Sequence, residues 1–109
     1  MENTRIVRVL DFAEIPGARY RTDGDNSAEE FFEDVVESIA DEVLLESDLT
    51  LLIDLDGTTG YPSSFVSELA ELMSKKYRKA KKVKKRIVIK SDDDPSQIKR
   101  FWDGFNEKR

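Results

Sequence analysis

Three short apolar runs, each followed by a longer stretch whose apolar residues recur every three or four positions, constrain this chain more than anything else in it. Short runs rich in Val, Ile and Leu read as strands, and three-or-four spacing reads as one face of a helix. The first run, Arg5-Ile-Val-Arg-Val-Leu-Asp-Phe12, partly alternates and predicts a strand, ended before Pro16-Gly17. The polar stretch 17–26 predicts a loop carrying a short strand at Ala18-Arg19-Tyr20-Arg21. Leu49-Thr-Leu-Leu-Ile-Asp-Leu55 is continuously apolar, as expected of a strand covered on both faces. Arg86-Ile-Val-Ile-Lys90 is the third strand.

The stretches between them carry helix signals. Ser27-Ala-Glu-Glu30 has the spacing of a capping box. Behind it, Phe31, Phe32, Val35, Val36, Ile39, Ala40, Val43 and Leu44 predict a helix of about five turns, closed by Asp48. Pro62 suits a first turn, and Phe65, Val66, Leu69, Ala70, Leu72, Met73 and Tyr77 predict a second helix. Asp94-Pro95-Ser-Gln97 predicts the start of a third, with Ile98, Phe101, Trp102 and Phe105 on one face. The order β-α-β-α-β-α implies an α/β fold: a mixed or mostly parallel sheet of about three to four strands with three main helices. At 109 residues the chain has room for one core, so residues 1–109 read as a single domain.

Composition narrows the chemistry. The chain has no Cys and no His, which excludes disulfides, Ser-His-Asp and Cys-His catalysis, and the commonest transition-metal ligands. It shows neither an export signal nor an apolar run of the ~20 residues that cross a bilayer, so a cytoplasmic, membrane-free protein is expected. The net charge of −5 hides an asymmetry. Residues 1–74 hold 18 acidic and 4 basic side chains, while residues 75–86 hold nine Lys/Arg and no acid. That run invites a polyanion, but it has one aromatic and sits in an otherwise acidic chain. An acidic partner, or plain solvation, is the expectation, and nucleic acid is not.

The segment Asp54-Leu-Asp-Gly-Thr-Thr-Gly-Tyr-Pro-Ser-Ser-Phe65 leaves the most apolar strand, where α/β proteins gather functional loops. Asp54-Leu-Asp56-Gly57-Thr58 resembles the opening motif of haloacid-dehalogenase-type phosphatases. In that family the first Asp attacks phosphorus, the second handles a proton and Mg²⁺ neutralises both. The match covers about five residues, with Ser91 standing for the second motif, and Lys99 and Asp103 out of context for the later ones. The alternative reading is therefore a Mg²⁺-dependent phosphatase using Asp54 and Asp56.

A wider resemblance is to STAS domains, the sulfate-transporter and anti-sigma-factor-antagonist family. Antagonists carry an Asp-Ser-Ser-Gly turn whose first Ser, at a helix start, is phosphorylated by a kinase partner. The equivalent tetrad here is Pro62-Ser63-Ser64-Phe65, with Pro for Asp and Phe for Gly. The STAS-like family of unknown function is more similar still. It resembles this chain at Gly17-Ala-Arg19-Tyr20 through Gly24, Ser27, Glu29, Glu30 and Phe31. It does so again at Asp54, Asp56-Gly57-Thr58, Gly60-Tyr61, Ser64-Phe65 and Glu68, a match spanning residues 17–75.

The resemblance implies a non-catalytic, cofactor-free regulatory module that binds a protein partner, such as a kinase-like ATPase or regulator. Its binding face would be Tyr61, Ser63, Ser64, Phe65 and Glu68, with Ser63 the candidate phosphosite. A helix start favours an added phosphate, whose charge of about −1.5 to −2 would oppose Asp54 and Asp56 nearby. In the early loop, Arg19, Tyr20 and Arg21 are candidate contacts for a phosphate or carboxylate. Trp102 is a core residue or, if part-covered, an interface anchor. Capping by the serines and solvation of the arginines are the plainer readings of the same residues.

Overall fold

The computed structural model describes residues 3–59 and 63–106. Its strands are β1 (Thr4–Arg8), β2 (Thr50–Asp54) and β3 (Ile87–Lys90), and its helices are α1 (Val9–Phe12), α2 (28–45), α3 (Ser63–Tyr77), α4 (Val83–Arg86) and α5 (Ser96–Asn106). The three strands form one parallel sheet in the order β1-β2-β3. The fold is α/β, as the alternation of patterns implies. No described helix is long and apolar enough to cross a membrane.

Because the strand order never reverses, two right-handed crossovers lay their helices on the same face. Burial agrees. Val7, Leu51, Ile53, Ile87 and Ile89 point into the core, while the alternate row, Ile6, Leu52 and Val88, faces outward. Ile6 keeps 44% and Val88 43% of its surface exposed. The expectation that Leu49–Leu55 is covered on both faces is thus overturned: the sheet's own connections cover one.

The first strand is also shorter than its composition suggests. It ends at Arg8, and Val9–Phe12 makes one helical turn closed by Ala13 N–H on the Val9 carbonyl at 2.9 Å. Strand alternation would have sent Phe12 to the outer face with Ile6. The turn brings it instead against Phe31, with ring centroids 5.0 Å apart.

Helix α2 holds an apolar face with an unusual period. Phe31, Val35, Ile39 and Val43 form one row and Phe32, Val36, Ala40 and Leu44 the next, each stepping by four. An α-helix of about 3.6 residues per turn would let such rows drift around its surface. Two π-helical stretches, Phe32–Val36 and Asp41–Leu45, take up the difference, since their i→i+5 bonds close wider turns.

At the far end of α2 the carbonyls of Val43, Leu44 and Ser47 receive the Arg86 guanidinium. It also donates to the Leu49 carbonyl at 3.1 Å and the Lys81 carbonyl at 3.1 Å. One cation thereby answers the orphan carbonyls and negative dipole of a helix end, and ties α2 to the start of β2 and to the approach to β3.

Helix α3 lies between α2 and α5. Gly104 of α5 makes the second contact close: a Cβ there would stand 3.1 Å from the Ala70 Cβ and 3.3 Å from the Ser67 carbonyl. Asp94 caps α5 as its sequence predicts, accepting from the Ser96 N–H at 3.2 Å and from the Gln97 amide at 3.0 Å.

Two substitutions test this packing in urea unfolding. Arg86→Leu should lower stability by about 2–4 kcal/mol, because several carbonyls lose a charged donor together. Gly104→Leu should cost about 1–3 kcal/mol by forcing α3 and α5 apart. A midpoint unmoved by either would contradict the contact concerned.

Candidate functional site

All three strands run the same way, so the loops after β1, β2 and β3 meet at one edge of the sheet. With no reversal of strand order there is no topological switch point, and so no crevice between diverging loops of the kind that holds nucleotides. What occupies this edge is a set of polar struts centred on Asp56. Its carboxylate accepts from Lys90 Nζ at 2.6 Å, Asp92 N–H at 3.0 Å and Asp93 N–H at 2.8 Å. Asp93 answers by accepting from the Gly57 N–H at 3.0 Å. The β2 and β3 loops thus clasp each other reciprocally. Gly57 sits at φ +93°, where a side chain would be strained and would meet Leu10.

This bonding sets the titration of the cluster. The Asp93 backbone N–H, then Lys90, hold the Asp56 carboxyl well below its ordinary value, at about 2. Lys90 is pushed up by Asp56 and then Asp92. Asp54 turns elsewhere: one oxygen accepts from the Asp56 N–H at 2.9 Å and the other faces Arg8 Nε at 3.6 Å. The two aspartates singled out by the sequence are neighbours, but each already has its partners. Ser91 is buried and donates to the Asp94 carbonyl at 2.7 Å, and Lys99 pairs with Asp103 along α5 at 2.7 Å. Among the described residues no three carboxylates gather closely enough to hold a metal ion.

The loop before α2 is bonded to that helix rather than to a strand. Gly17 N–H reaches the Asn26 carbonyl, while the Ala18 and Arg19 carbonyls accept from Ala28 N–H at 2.9 Å and Glu29 N–H at 3.0 Å. These bonds replace the short strand expected at Ala18–Arg21, and a 3₁₀ turn follows at Arg21–Asp23. Ser27 Oγ takes the Glu30 N–H at 3.0 Å, as the capping box predicts, and Glu30 reaches back to Asn26 N–H, one residue beyond the usual partner. The first N–H groups of α2 therefore have acceptors already. Gly17 is required here, since a Cβ would lie 2.3 Å from the Asp25 carbonyl.

The candidate loop residues are dispersed. Arg21 pairs with Glu33 at 2.9 Å and Asp34 at 3.0 Å, and Tyr20 is exposed. Arg19 turns inward to Glu68 at 2.9 Å, with Glu71 at 3.8 Å.

The start of α3 divides the remaining candidates. Ser63 is its first residue and Ser64 is half-buried, while Tyr61 lies outside the described residues. Phe65 is fully buried against Phe31, ring centroids 5.8 Å apart. Glu68 is also buried. Burial raises its pKa, the Arg19 bond opposes that, and the neighbouring Glu71 charge adds to the rise. Phe65 and Glu68 thus lie inside, while Ser64 beside them keeps part of its surface exposed.

Sequence reasoning passed over Lys90, Asp92 and Asp93, the partners that complete the Asp56 clasp. The available signal was positional: Lys90 ends β3 in register with Asp54 at the end of β2. Comparisons with known protein families, curated proteins and solved structures find no match.

A lowered carboxylate pKa adds stability above the group's ordinary value and withdraws it as the folded value is approached. The Asp56 contribution should therefore fade as pH drops from about 4 to about 2. Unfolding measured across that range should show the loss, and Asp56→Asn should flatten it. An unchanged slope in Asp56→Asn would remove Asp56 from the role of strut.

Proposed function

We propose that this chain is a STAS-like regulatory module which binds a protein partner at the start of α3 and catalyses no reaction itself. One observation carries the reading. Asp56, the residue a phosphatase would use to move a proton, accepts three donors while its neighbour Asp54 accepts a backbone N–H and faces Arg8. A nucleophile and its acid need free lone pairs aimed at a substrate, whereas these carboxylates brace two loops. The paired sequence motifs over residues 17–75 supply the family comparison, and the absence of His and Cys removes the commoner catalytic groups.

The proposed docking face is Tyr61, Ser63 and Ser64, of which Ser64 is half-buried, and the buried Phe65 and Glu68 hold the helix start from inside. Phosphorylation at Ser63 by a kinase-like partner would bring about −1.5 to −2 charge to an edge already lined with carboxylates, and so switch which partner docks. The setting is cytoplasmic, and no metal or cofactor takes part.

The test is a pull-down from source-cell lysate with wild type, Ser63→Ala and Ser63→Glu, paired with thermal melts. Wild type and Ser63→Ala should retain the same protein, and Ser63→Glu should lose it at least tenfold at unchanged melting temperature. Phe65→Ala is the wrong probe, since emptying that core position costs about 3–5 kcal/mol and would confound lost binding with lost stability. Retention indifferent to Ser63→Glu would count against the reading. Mg²⁺-dependent hydrolysis of p-nitrophenyl phosphate that vanishes in Asp54→Asn would replace it with the phosphatase.

A further inference from the structure

Most of the described cations fall into two groups. Arg5, Arg8, Arg19, Arg21, Lys76, Lys90 and Lys99 each face a carboxylate, and Arg86 faces backbone carbonyls. Lys79, Lys81, Lys82, Lys84 and Lys85 do not: all are exposed and none has an acidic partner among the described residues. They crowd the connection from α3 to β3, at the amino edge of the sheet, where Lys82 turns the chain in the left-handed region at φ 54°. Ala80 and Val83 floor a shallow depression there, rimmed by Lys82, Lys84 and Lys85.

The opposite edge has the complementary composition. Asp11 of α1, Asp23 of the 3₁₀ turn, and Glu14, Asp25, Asp92 and Asp93 of the loops are exposed beyond the strand ends. Among them stands Ile15, exposed over 64% of its surface and flanked by Glu14. Its loop is held out at this edge by the Thr59 N–H on the Glu14 carbonyl at 2.9 Å. A five-residue strand separates the two edges by roughly 16 Å. That is about twice the screening length in physiological salt, so neither edge cancels the other's field.

We infer that a second copy of this chain docks head to tail, its Ile15 loop seated on the Ala80–Val83 floor and its acids facing the lysine rim. The floor favours this occupant over a nucleic acid, whose backbone has no use for an apolar seat. The described lysine segment also offers no exposed aromatic for a base to stack on, its one Tyr being buried. A heterologous contact of this kind leaves one free half on each end of a dimer, so it propagates beyond two copies, into a ring or an open chain. The contact shares the carboxyl edge with the start of α3 but uses other residues, and the variants that test it leave Ser63 unchanged, so its failure is distinguishable from failure of the partner-binding reading.

Sedimentation of the full chain at about 20 mM and about 500 mM salt tests the inference. At low salt the average mass should climb with protein concentration, and the association constant should fall at least tenfold at high salt. Lys82→Gln/Lys84→Gln/Lys85→Gln and Glu14→Gln/Ile15→Ser should each remain monomeric with unchanged circular dichroism. Mixing the two should stop growth at a 1:1 dimer, since each supplies the half the other lacks. Wild type that stays monomeric at low salt overturns the inference, as does either variant assembling like wild type. Lysine-dependent binding of a duplex DNA or of anionic vesicles by a monomeric wild type would reassign the surface.

Discussion

Three short parallel strands in unreversed order can be covered by their own crossovers on one face only, and most of what distinguishes this molecule follows from that. The helices crowd onto the covered side, so α3 is walled in by α2 and α5. A helix enclosed in this way has little room for polar residues, yet it carries Glu68, Glu71 and Ser74, all buried. Arg19 reaches in from the early loop to answer the first two, which is why that loop lies across the start of α2 instead of pairing as a strand. On the other side Ile6 and Val88 stay exposed and Leu52 is only part-covered by the described residues.

The same arrangement sorts the charges. Parallel strands send every loop that follows a strand to one edge and every connection that precedes one to the other. The acids of the first set and the lysines of the second therefore collect at opposite ends. Arginine and lysine divide the work in keeping with their chemistry. The forked guanidinium of Arg86 serves several carbonyls at once, and that of Arg19 two carboxylates, while the strongly hydrated ammonium groups stay outside. Lys76 and Lys90 are exceptions, the first drawn onto Glu37 and Asp41 of α2 and the second onto Asp56 where the two loops meet.

Much of the fold was legible residue by residue. The cores of β2 and β3, the Ser27 cap and the Asp94 cap rest on neighbours within a few positions, and all stand where their patterns indicate. The strict four-residue step of the α2 rows was legible too, yet only its π-helical stretches explain how one face keeps both rows buried. Phe12 shows why the end of β1 was not: its composition suits a strand, and the decision came from Phe31, far along the chain. The candidate site was half legible. Asp54 and Asp56 stood out because short-range turn chemistry marks them, but Lys90 and Asp93 joined them only through the sheet register. Phe65 and Glu68 looked available because they sit in a motif, and packing put them inside.

The amino-acid sequence alone determined the alternation of strand and helix, the helix starts, the lack of His and Cys chemistry and the lysine-rich connection. Each of these depends on residue type or on partners a few positions away. Tertiary structure decided that the sheet is covered on one face, that Asp56 is a strut, that Arg86 closes α2 and that the two charged edges lie apart. Those outcomes depend on groups 30 or more positions distant meeting in space, and no local pattern encodes which of several carboxylates a given cation will reach.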